Sequence, residues 1–528
     1  MWTTFLAVFC GVITVSLYLS NARRRKPPPA VSFPPGPKPR FIIGNILDIN
    51  TSEPWLTYTD WKKAYGDIVY SRLLGQNFII LNSDKVAKAL MDQRSAIYSD
   101  RPVIATNKLF GVSFSTVSLP YGDEWRWHRK LFHSALHAEA ATRYQDLYLQ
   151  ETHVLLENIA QVPTQFLAHL QGYVASIIMG LTYGYATAPR DDPIVTSAVE
   201  LVALLAEALS PERAALLSAL PFLGYIPSWF PGANFKRCAI RAHKLLNEVK
   251  NIPFDIVKRR FAEGAAPPSM VADLLSQMDG KHDINRQEEV INDTAATVFL
   301  AGFETSASTL HSFILAMLLY PDVQKRAQAE IDAVIDSKRL PTFEDRYSLP
   351  YVDAILREVL RWHPVVPLGI PHATSTDDVY EGYFIPKGSH NHSCNFFFAD
   401  LYVGSLVIAN IWAMARDEDK YSNVADFVPE RHFDSDGRLA PETIASNPIF
   451  GYGRRICPGR FAAEGLLWAA IVSILATFHI SKATDSTGTD ISVDEKFTTG
   501  IAVQPIPFPC EFTPRSKGRL SSTRTTHP

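Results

Sequence analysis

Phe450-Gly-Tyr-Gly-Arg-Arg-Ile-Cys457-Pro-Gly459 is the stretch on which the reading of this chain turns. It fits the pattern Phe-x-x-Gly-x-Arg-x-Cys-x-Gly, with five fixed positions in ten residues. A lone Cys is most often a small buried hydrophobe. This one sits on a glycine-bearing loop, with Arg455 two residues before it. Gly453 and Gly459 predict backbone conformations that a side chain would forbid. A thiolate that ligates a metal needs backbone donors and nearby positive charge, and this loop carries both.

Outward from that loop, other short patterns stand in order. Glu358-Val-Leu-Arg361 places a carboxylate and a guanidinium on one helical face, where they can pair. Alone, this is only a surface ion pair of little worth. Trp362-His-Pro-Val-Val-Pro follows it, then Pro429-Glu430-Arg431-His-Phe433, then the Cys loop. Upstream, Gln287 to Leu319 reads as one helix containing Ala301-Gly302-Phe303-Glu304-Thr305-Ser306. A mid-helix Gly costs about 1 kcal/mol against Ala. Thr can turn its hydroxyl to a carbonyl one turn back and loosen the helix. Further upstream, Trp125 and Arg129 stand one turn apart on one face of a basic amphipathic segment.

Composition limits the alternatives. The chain has 528 residues, 47% hydrophobic and 20% charged, with a formal net charge of -3. That suits a large packed core and argues against nucleic-acid binding, which needs a clustered basic surface. Cys10, Cys238, Cys394, Cys457 and Cys510 have neither zinc-like nor redox-motif spacing. A disulfide framework is not expected, which places the folded part in a reducing compartment.

Trp2 to Ser20 is almost uncharged and apolar, and Arg23, Arg24, Arg25 and Lys26 follow. A bilayer crossing needs about 20 apolar residues, so residues 1–21 are predicted to be a transmembrane anchor. The basic flank keeps the following chain in the cytosol. A cleaved signal peptide would instead carry its charges before the apolar run. Residues 22–40 read as a basic, proline-rich hinge, a stiff extended spacer.

Ile68 to Tyr70 and Phe78 to Leu81 read as strands, and Asp123 to Leu319 as mostly helical. Prolines break the pattern between Pro221 and Gly232, and again at Pro364, Pro367 and Pro371. The expected fold is mainly α with a small β-component, one catalytic domain over 41–514. The polar tail, 515–528, is expected to fray.

Taken together, the ordered patterns resemble the cytochrome P450 family from the anchor to about Pro514, and within it fungal microsomal members of secondary metabolism and xenobiotic oxidation. The resemblance implies haem as cofactor, since a Cys thiolate is one of few axial ligands of haem iron and favours O–O cleavage. It implies Cys457 as the iron ligand and Phe450 packed beside it. Arg455, Trp125, Arg129 and His372 (at Pro371-His372) would be haem-propionate partners. Thr305 becomes the proton-delivering hydroxyl and Glu304 its acidic partner, above a local widening of the helix. Glu358, Arg361 and Arg431 form a buried ion network. The implied reaction inserts one atom of dioxygen into a small apolar substrate. Electrons come from NADPH through NADPH-cytochrome P450 reductase, with cytochrome b5 as a further partner, at the endoplasmic reticulum membrane. Arg454 and Arg460 are candidate contacts for the acidic reductase. Pro102 to Leu119, Leu201 to Phe230, Phe299 to Phe303, Val365 to Ile370 and Gly500 to Val503 are candidate pocket segments, mostly apolar, in keeping with terpenoid, steroid-like or aromatic molecules.

The pattern breaks once. Pro386-Lys-Gly-Ser389 and Leu406-Val-Ile-Ala-Asn410 are separated by residues 390–405, a 16-residue insertion ending in a repeated Gly-Ser. Deleting it restores the family register, so a retained intron or a gene-model error, translated in frame, is the expectation. Sequons at Asn50, Asn292 and Asn391 are expected to stay unglycosylated in a cytosolic domain. Two rival functions share these residues: a reductase-independent haem-thiolate isomerase or dehydratase, and a non-catalytic haem-binding membrane protein inactivated by the insertion.

Overall fold

The computed structural model describes residues 27–516 and 519, apart from 42, 74–75, 103, 189–191, 209–225, 279–282 and 388–404. The anchor at 1–21, the sequon at Asn391 and the insertion up to residue 404 lie outside the described residues.

The principal helices are α1 (Pro54–Tyr65), α2 (Asp123–Leu136), α3 (Gln145–Gln161), α4 (Phe166–Tyr183), α5 (Pro193–Ala208), α6 (Asn234–Ala262), α7 (Met270–Ser276), α8 (Ile284–Leu319), α9 (Pro321–Val334), α10 (Pro350–Trp362) and α11 (Arg460–Thr477). The β-component is small. The two runs read as strands from the sequence are β1 (Ile68–Leu73) and β2 (Gln76–Leu81), which pair antiparallel with Ile68 opposite Leu81. A two-residue strand β3 (His372–Ala373) and β6 (Ser405–Ala409) complete a four-stranded sheet of order β1-β2-β6-β3. β2 and β6 run parallel, which requires a long crossover, and here the helical body supplies it. β4 (Asp378–Tyr380) pairs with β5 (Tyr383–Ile385), and β7 (Phe478–Lys482) with β8 (Cys510–Pro514).

α8 is 36 residues long and is buried throughout Ser306–Leu318. A helix apolar on all sides belongs in a core or a membrane. α11 meets the length and polarity requirement for crossing a bilayer, yet 78% of it is buried inside the protein. It is therefore the second core helix, packed with α4 and α8 in one continuous hydrophobic cluster. The expected widening of α8 is absent: the helix is continuous from Ile284 to Leu319. Thr294, Thr297, Thr305 and Thr309 each donate their hydroxyl to the carbonyl four residues back, at 2.7–2.8 Å, without interrupting it. Asn292 sits on this helix with Nδ2 donating to Asn251 Oδ1 at 2.9 Å, a packed position for a sequon.

The C-terminal half of the proline-rich segment runs beside strands β1 and β5. Phe384 N donates to Ser32 O (2.7 Å), Tyr70 N donates to Pro35 O (2.9 Å), and Phe33 stacks on Tyr70 at 4.6 Å. Prolines cannot donate, but their carbonyls and neighbours serve a sheet edge well. The tail does not fray directly after Pro514. Arg515 pairs with Asp332, and buried Arg519 donates to Asp332 Oδ1 (3.0 Å), Ala476 O (2.8 Å) and Ile335 O (3.1 Å).

The Glu358–Arg361 pair lies on α10 and is fully enclosed. Glu358 accepts five hydrogen bonds, from Arg361 Nε (2.8 Å) and Nη2 (2.7 Å), Arg431 Nε (3.0 Å), His432 Nε2 (2.9 Å) and Val428 N (2.8 Å). His432 is a member that the sequence reading missed. Arg361 also donates to the carbonyls of Ala415, Val424 and Asp426. Burial pushes the Glu358 carboxyl up, but His432, Arg361 and Val428 outweigh it and hold it at about 2. Burial also lowers His432 below its ordinary value.

Removing one partner leaves a buried charge unpaired. Glu358→Ala or Arg361→Ala is expected to cost about 3–5 kcal/mol, read by chemical denaturation. The sign with pH follows from both groups. The Glu358 contribution is complete above its ordinary 4.5 and is lost as pH falls towards 2. His432 must also take up a proton on unfolding as pH drops below its ordinary 6.5. Stability measured against pH should therefore decline on the acid side, and less steeply in Glu358→Gln.

Candidate active site

Cys457 lies just before α11, with Gly459 as the helix N-cap. The positive end of a helix favours a thiolate there. Its own N–H donates to Phe450 O at 2.8 Å, which closes the loop and brings Phe450 beside it. Burial pushes the Cys457 thiol up, while the N–H groups of Gly459 and Arg460 and the charges of Arg129 and Arg460 pull it down. Cys457 is deep in the chain yet keeps accessible surface. Both statements hold if that surface lines an interior hollow rather than the outside of the protein.

The glycines divide differently from the sequence expectation. Gly453 has φ +57, and a Cβ there would stand 2.0 Å from Met91 O. Gly459 has an ordinary φ of -82, and its Cβ would reach only Cys457 Sγ, at 3.9 Å. Gly451, with φ +76, is the second position that needs glycine.

Cations gather on one side of this loop. Arg455 donates to Ser99 O (2.7 Å), Thr116 O (3.3 Å) and Leu119 O (2.8 Å), and lies 4.5 Å over the buried Trp125 ring. Burial lowers its pKa to about 10. Arg101, which the sequence reading missed, is buried and donates to Val117 O (3.1 Å), Ile370 O (2.6 Å) and Pro371 O (2.6 Å). Burial, then Arg455, holds it well below the usual guanidinium range. No motif announces a lone Arg before a Pro, and only its burial reveals it. Arg129 makes no hydrogen bond or ion pair among the described residues, and burial lowers it too. His372, on β3, makes a 2.6 Å hydrogen bond from Nδ1 to Tyr98 O, and burial, Arg101 and Arg455 keep it neutral. In that state Nε2 is an acceptor, so a bound carboxylate would have to draw a second proton onto the ring.

Against these cations stands one nearby carboxylate, Asp100, which accepts from Arg101 N (2.9 Å) and Tyr121 N (2.8 Å). Buried guanidinium groups that meet only carbonyls are costly unless an anion joins them. The set therefore fits a dianionic ligand beside the thiolate, as a haem with its two propionates would be. Arg454 and Arg460, expected to face a partner, are engaged locally. Arg454 donates to the Tyr121 hydroxyl, and Arg460 donates to Cys457 O at 2.8 Å.

On α8, Val298, Leu300, Ala301, Gly302, Glu304 and Thr305 keep accessible surface although the helix runs through the core. Val298, Ala301 and Thr305, spaced i, i+3 and i+7, make one open stripe. Gly302 lies against α4, where a Cβ on it would stand 2.9 Å from Ile178 Cδ1. Phe299 and Phe303 are buried. Thr305 Oγ1 donates to Ala301 O at 2.8 Å. Glu304 has no hydrogen bond or ion pair among the described residues, and burial pushes its carboxyl up to about 7. Other expected pocket segments are tied together: Val503 N donates to Val365 O (2.8 Å), and Thr116 N donates to Thr297 Oγ1 (3.2 Å). The segment from Leu201 to Phe230 is described only in part. A surface cleft of about 520 Å³ at Ser134, Arg143 and Met270 includes none of these residues.

Gly453→Ala is expected to prevent the Cys loop from seating, with loss of haem uptake in purified protein. Gly459→Ala should retain haem, because the polypeptide leaves room for that Cβ. Haem content per chain, by pyridine haemochrome assay, distinguishes the two.

Comparison with known proteins gives the same answer over nearly the whole chain. The family model described as cytochrome P450 matches residues 34–511. The chain is 37% identical over 514 residues to cytochrome P450 monooxygenase COX2 of Coprinopsis cinerea, covering 97% of this chain and 93% of that one. It is 37% identical over 516 residues to cytochrome P450 monooxygenase claR of Ampulloclitocybe clavipes, covering 97% and 91%. It is 38% identical over 519 residues to cytochrome P450 monooxygenase ARMGADRAFT_974139 of Armillaria gallica, covering 98% of each. A Cys at a helix N-terminus, buried cations around it that share the carboxylate of Asp100, and an open stripe on the long core helix are what such an enzyme requires, and the chain belongs to the cytochrome P450 family of haem-thiolate monooxygenases.

Proposed function

We propose that the chain is a membrane-anchored monooxygenase that hydroxylates a small apolar molecule, terpenoid, steroid-like or aromatic, with electrons from NADPH-cytochrome P450 reductase and cytochrome b5 as a second donor. The observation that carries this reading is the open stripe of Val298, Ala301 and Thr305 beside Glu304, which has no hydrogen bond or ion pair among the described residues. Cys457 would hold the haem iron, Phe450 would pack beside it, and Arg101, Arg129, Arg455, Trp125 and His372 would surround the propionates. Bound there, the haem supplies dioxygen activation. An apolar stripe receives apolar substrate and keeps water scarce. A carboxyl held at about 7 can both take and give a proton near neutral pH. Thr305 must rotate its hydroxyl away from Ala301 O to pass that proton onward. One oxygen atom enters the substrate and the other leaves as water, which consumes the delivered protons. Exposed Trp229 (78%) and Phe230 (41%) support contact with a membrane surface, as does the apolar N-terminus. The domain would sit on the cytosolic face of the endoplasmic reticulum.

The insertion is proposed to be extraneous to this fold. β6 begins at Ser405, opposite Asn77, and deletion of 390–405 puts Ser389 in front of Leu406 in its place. The deletion variant should take up haem at least as well as the full chain. Lower uptake would make the segment part of the domain.

The central test is the full chain co-expressed with a reductase. Wild type should show a thiolate-type reduced CO spectrum, and Cys457→Ala should lose it. Survival of that spectrum in Cys457→Ala would assign the ligand elsewhere. Thr305→Ala should keep the spectrum but lower product formed per NADPH by about tenfold to a hundredfold. Product formation in wild type should fall as pH rises through about 7, where Glu304 loses its proton. Glu304→Gln should be slow and lack that limb. Turnover without NADPH would favour an isomerase or dehydratase instead.

A further inference from the structure

The Cys loop is gripped by a segment that no sequence pattern singles out. Asp84–Ala87 is one turn of α-helix that runs directly into a π-helical turn, Lys88–Gln93. Ser83 caps its start, with Oγ accepting from Val86 N at 3.3 Å. A π turn holds more residues than an α turn, so part of the backbone bulges out of register. Such turns are rare and gather at functional sites.

Here the bulged residues meet the loop. Met91 O stands 2.0 Å from the place a Gly453 Cβ would occupy. Asp92 Oδ1 accepts the Gly453 N–H. Two turns back, Asp84 Oδ1 accepts the Tyr452 hydroxyl at 2.9 Å. Consecutive loop residues are thus fixed by one short helix. Gly453 O in turn accepts Ile456 N at 3.2 Å, which leads to the peptide that carries Cys457. Arg455 projects from the same turn, Gly453–Arg455. Gly451 and Gly453 both have positive φ, so the free loop has much conformational freedom to lose. An N–H donated to a carboxylate is charge-assisted and stronger than a neutral bond.

We propose that Asp92 is a positioning residue for the haem thiolate, holding the Gly453–Arg455 turn so that Cys457 and Arg455 keep their places together. This rests on Cys457 being the axial ligand. The effect of Asp92 passes through the Gly453 peptide.

The test uses the full-length holoprotein with Asp92→Asn, which keeps an acceptor oxygen, and Asp92→Ala and Asp92→Val, which do not. Three readouts are followed: the rate at which the reduced CO complex loses its thiolate-type Soret band, the midpoint potential of the haem iron, and thermal unfolding. Loss of one charge-assisted hydrogen bond should speed decay of the band about tenfold in Asp92→Ala and Asp92→Val, with a shifted potential, while Asp92→Asn stays within about twofold of wild type. Wild-type decay and potential in Asp92→Ala and Asp92→Val overturn the proposal. So does an Asp92→Asn that behaves like Asp92→Ala, and so does a lower unfolding temperature with band and potential unchanged. A wild-type protein without a thiolate-type band overturns the Cys457 assignment itself. A wild-type band with insensitive Asp92 variants overturns this proposal alone.

Discussion

The Glu358 carboxylate is the junction on which the rest of the architecture hangs. It is fully enclosed and satisfied by Arg361 on its own helix and by Val428, Arg431 and His432 on the irregular segment that follows. That segment is irregular, is tied to α10 also through Trp362 Nε1 to Ala425 O (3.0 Å) and the Tyr351 hydroxyl to Glu430 (2.7 Å), and leads into the Cys loop. A single buried charge with donors from both sides locks α10 to it. Arg361 extends the lock to the carbonyls of Ala415, Val424 and Asp426. The fold can therefore hold an irregular chain in one place without a sheet or helix to define it. The cost is that every donor must be present, since a partly satisfied buried charge is worse than none.

The second constraint is opposite in sign. Where Glu358 is fully compensated, Arg101, Arg455 and Arg129 are not. The loop of residues 99–119 wraps its carbonyls around Arg455 and Arg101, which satisfies their hydrogen bonds, while its Asp100 meets only part of their charge. Cys457 carries the matching imbalance: burial raises its pKa, so it needs a cation at the sulfur to ionise fully. One dianionic ligand with a central cation corrects both. The same loop reaches α8 through Thr116 and Thr297, and α2 through Thr116 Oγ1 and His128 Nδ1 at 2.8 Å. The ligand's charge partners and the substrate-facing helix are thereby parts of one connected unit.

Residues 450–459, 358–361 and 301–306 made the family and the main site legible from sequence, because each is a contiguous run whose chemistry needs close spacing. The strands β1 and β2 and the long helix α8 were legible for the same reason, as local periodicity. What stayed hidden was whatever depends on partners far along the chain. Arg101 and Asp92 belong to no motif, and His432 sits unmarked inside the Pro429-to-Phe433 run; each acquires its meaning from a residue more than 70 positions away. The start of the tail was misread, and the contacts of the proline-rich segment stayed unseen, because composition reports what a segment lacks, not what it docks against. Ser32 meets Phe384, and Arg519 meets Asp332, only once the body has folded.

By itself the sequence determined the chemical class: a Cys with its Arg and glycines, an acid–hydroxyl pair on a helix, and a carboxylate–guanidinium pair in fixed order. Only the tertiary structure decided which glycine is obligatory, which buried arginines share the carboxylate of Asp100 and which face of α8 is open. Those properties are set by burial and by through-space contact, and neither is a function of neighbouring residues in the chain.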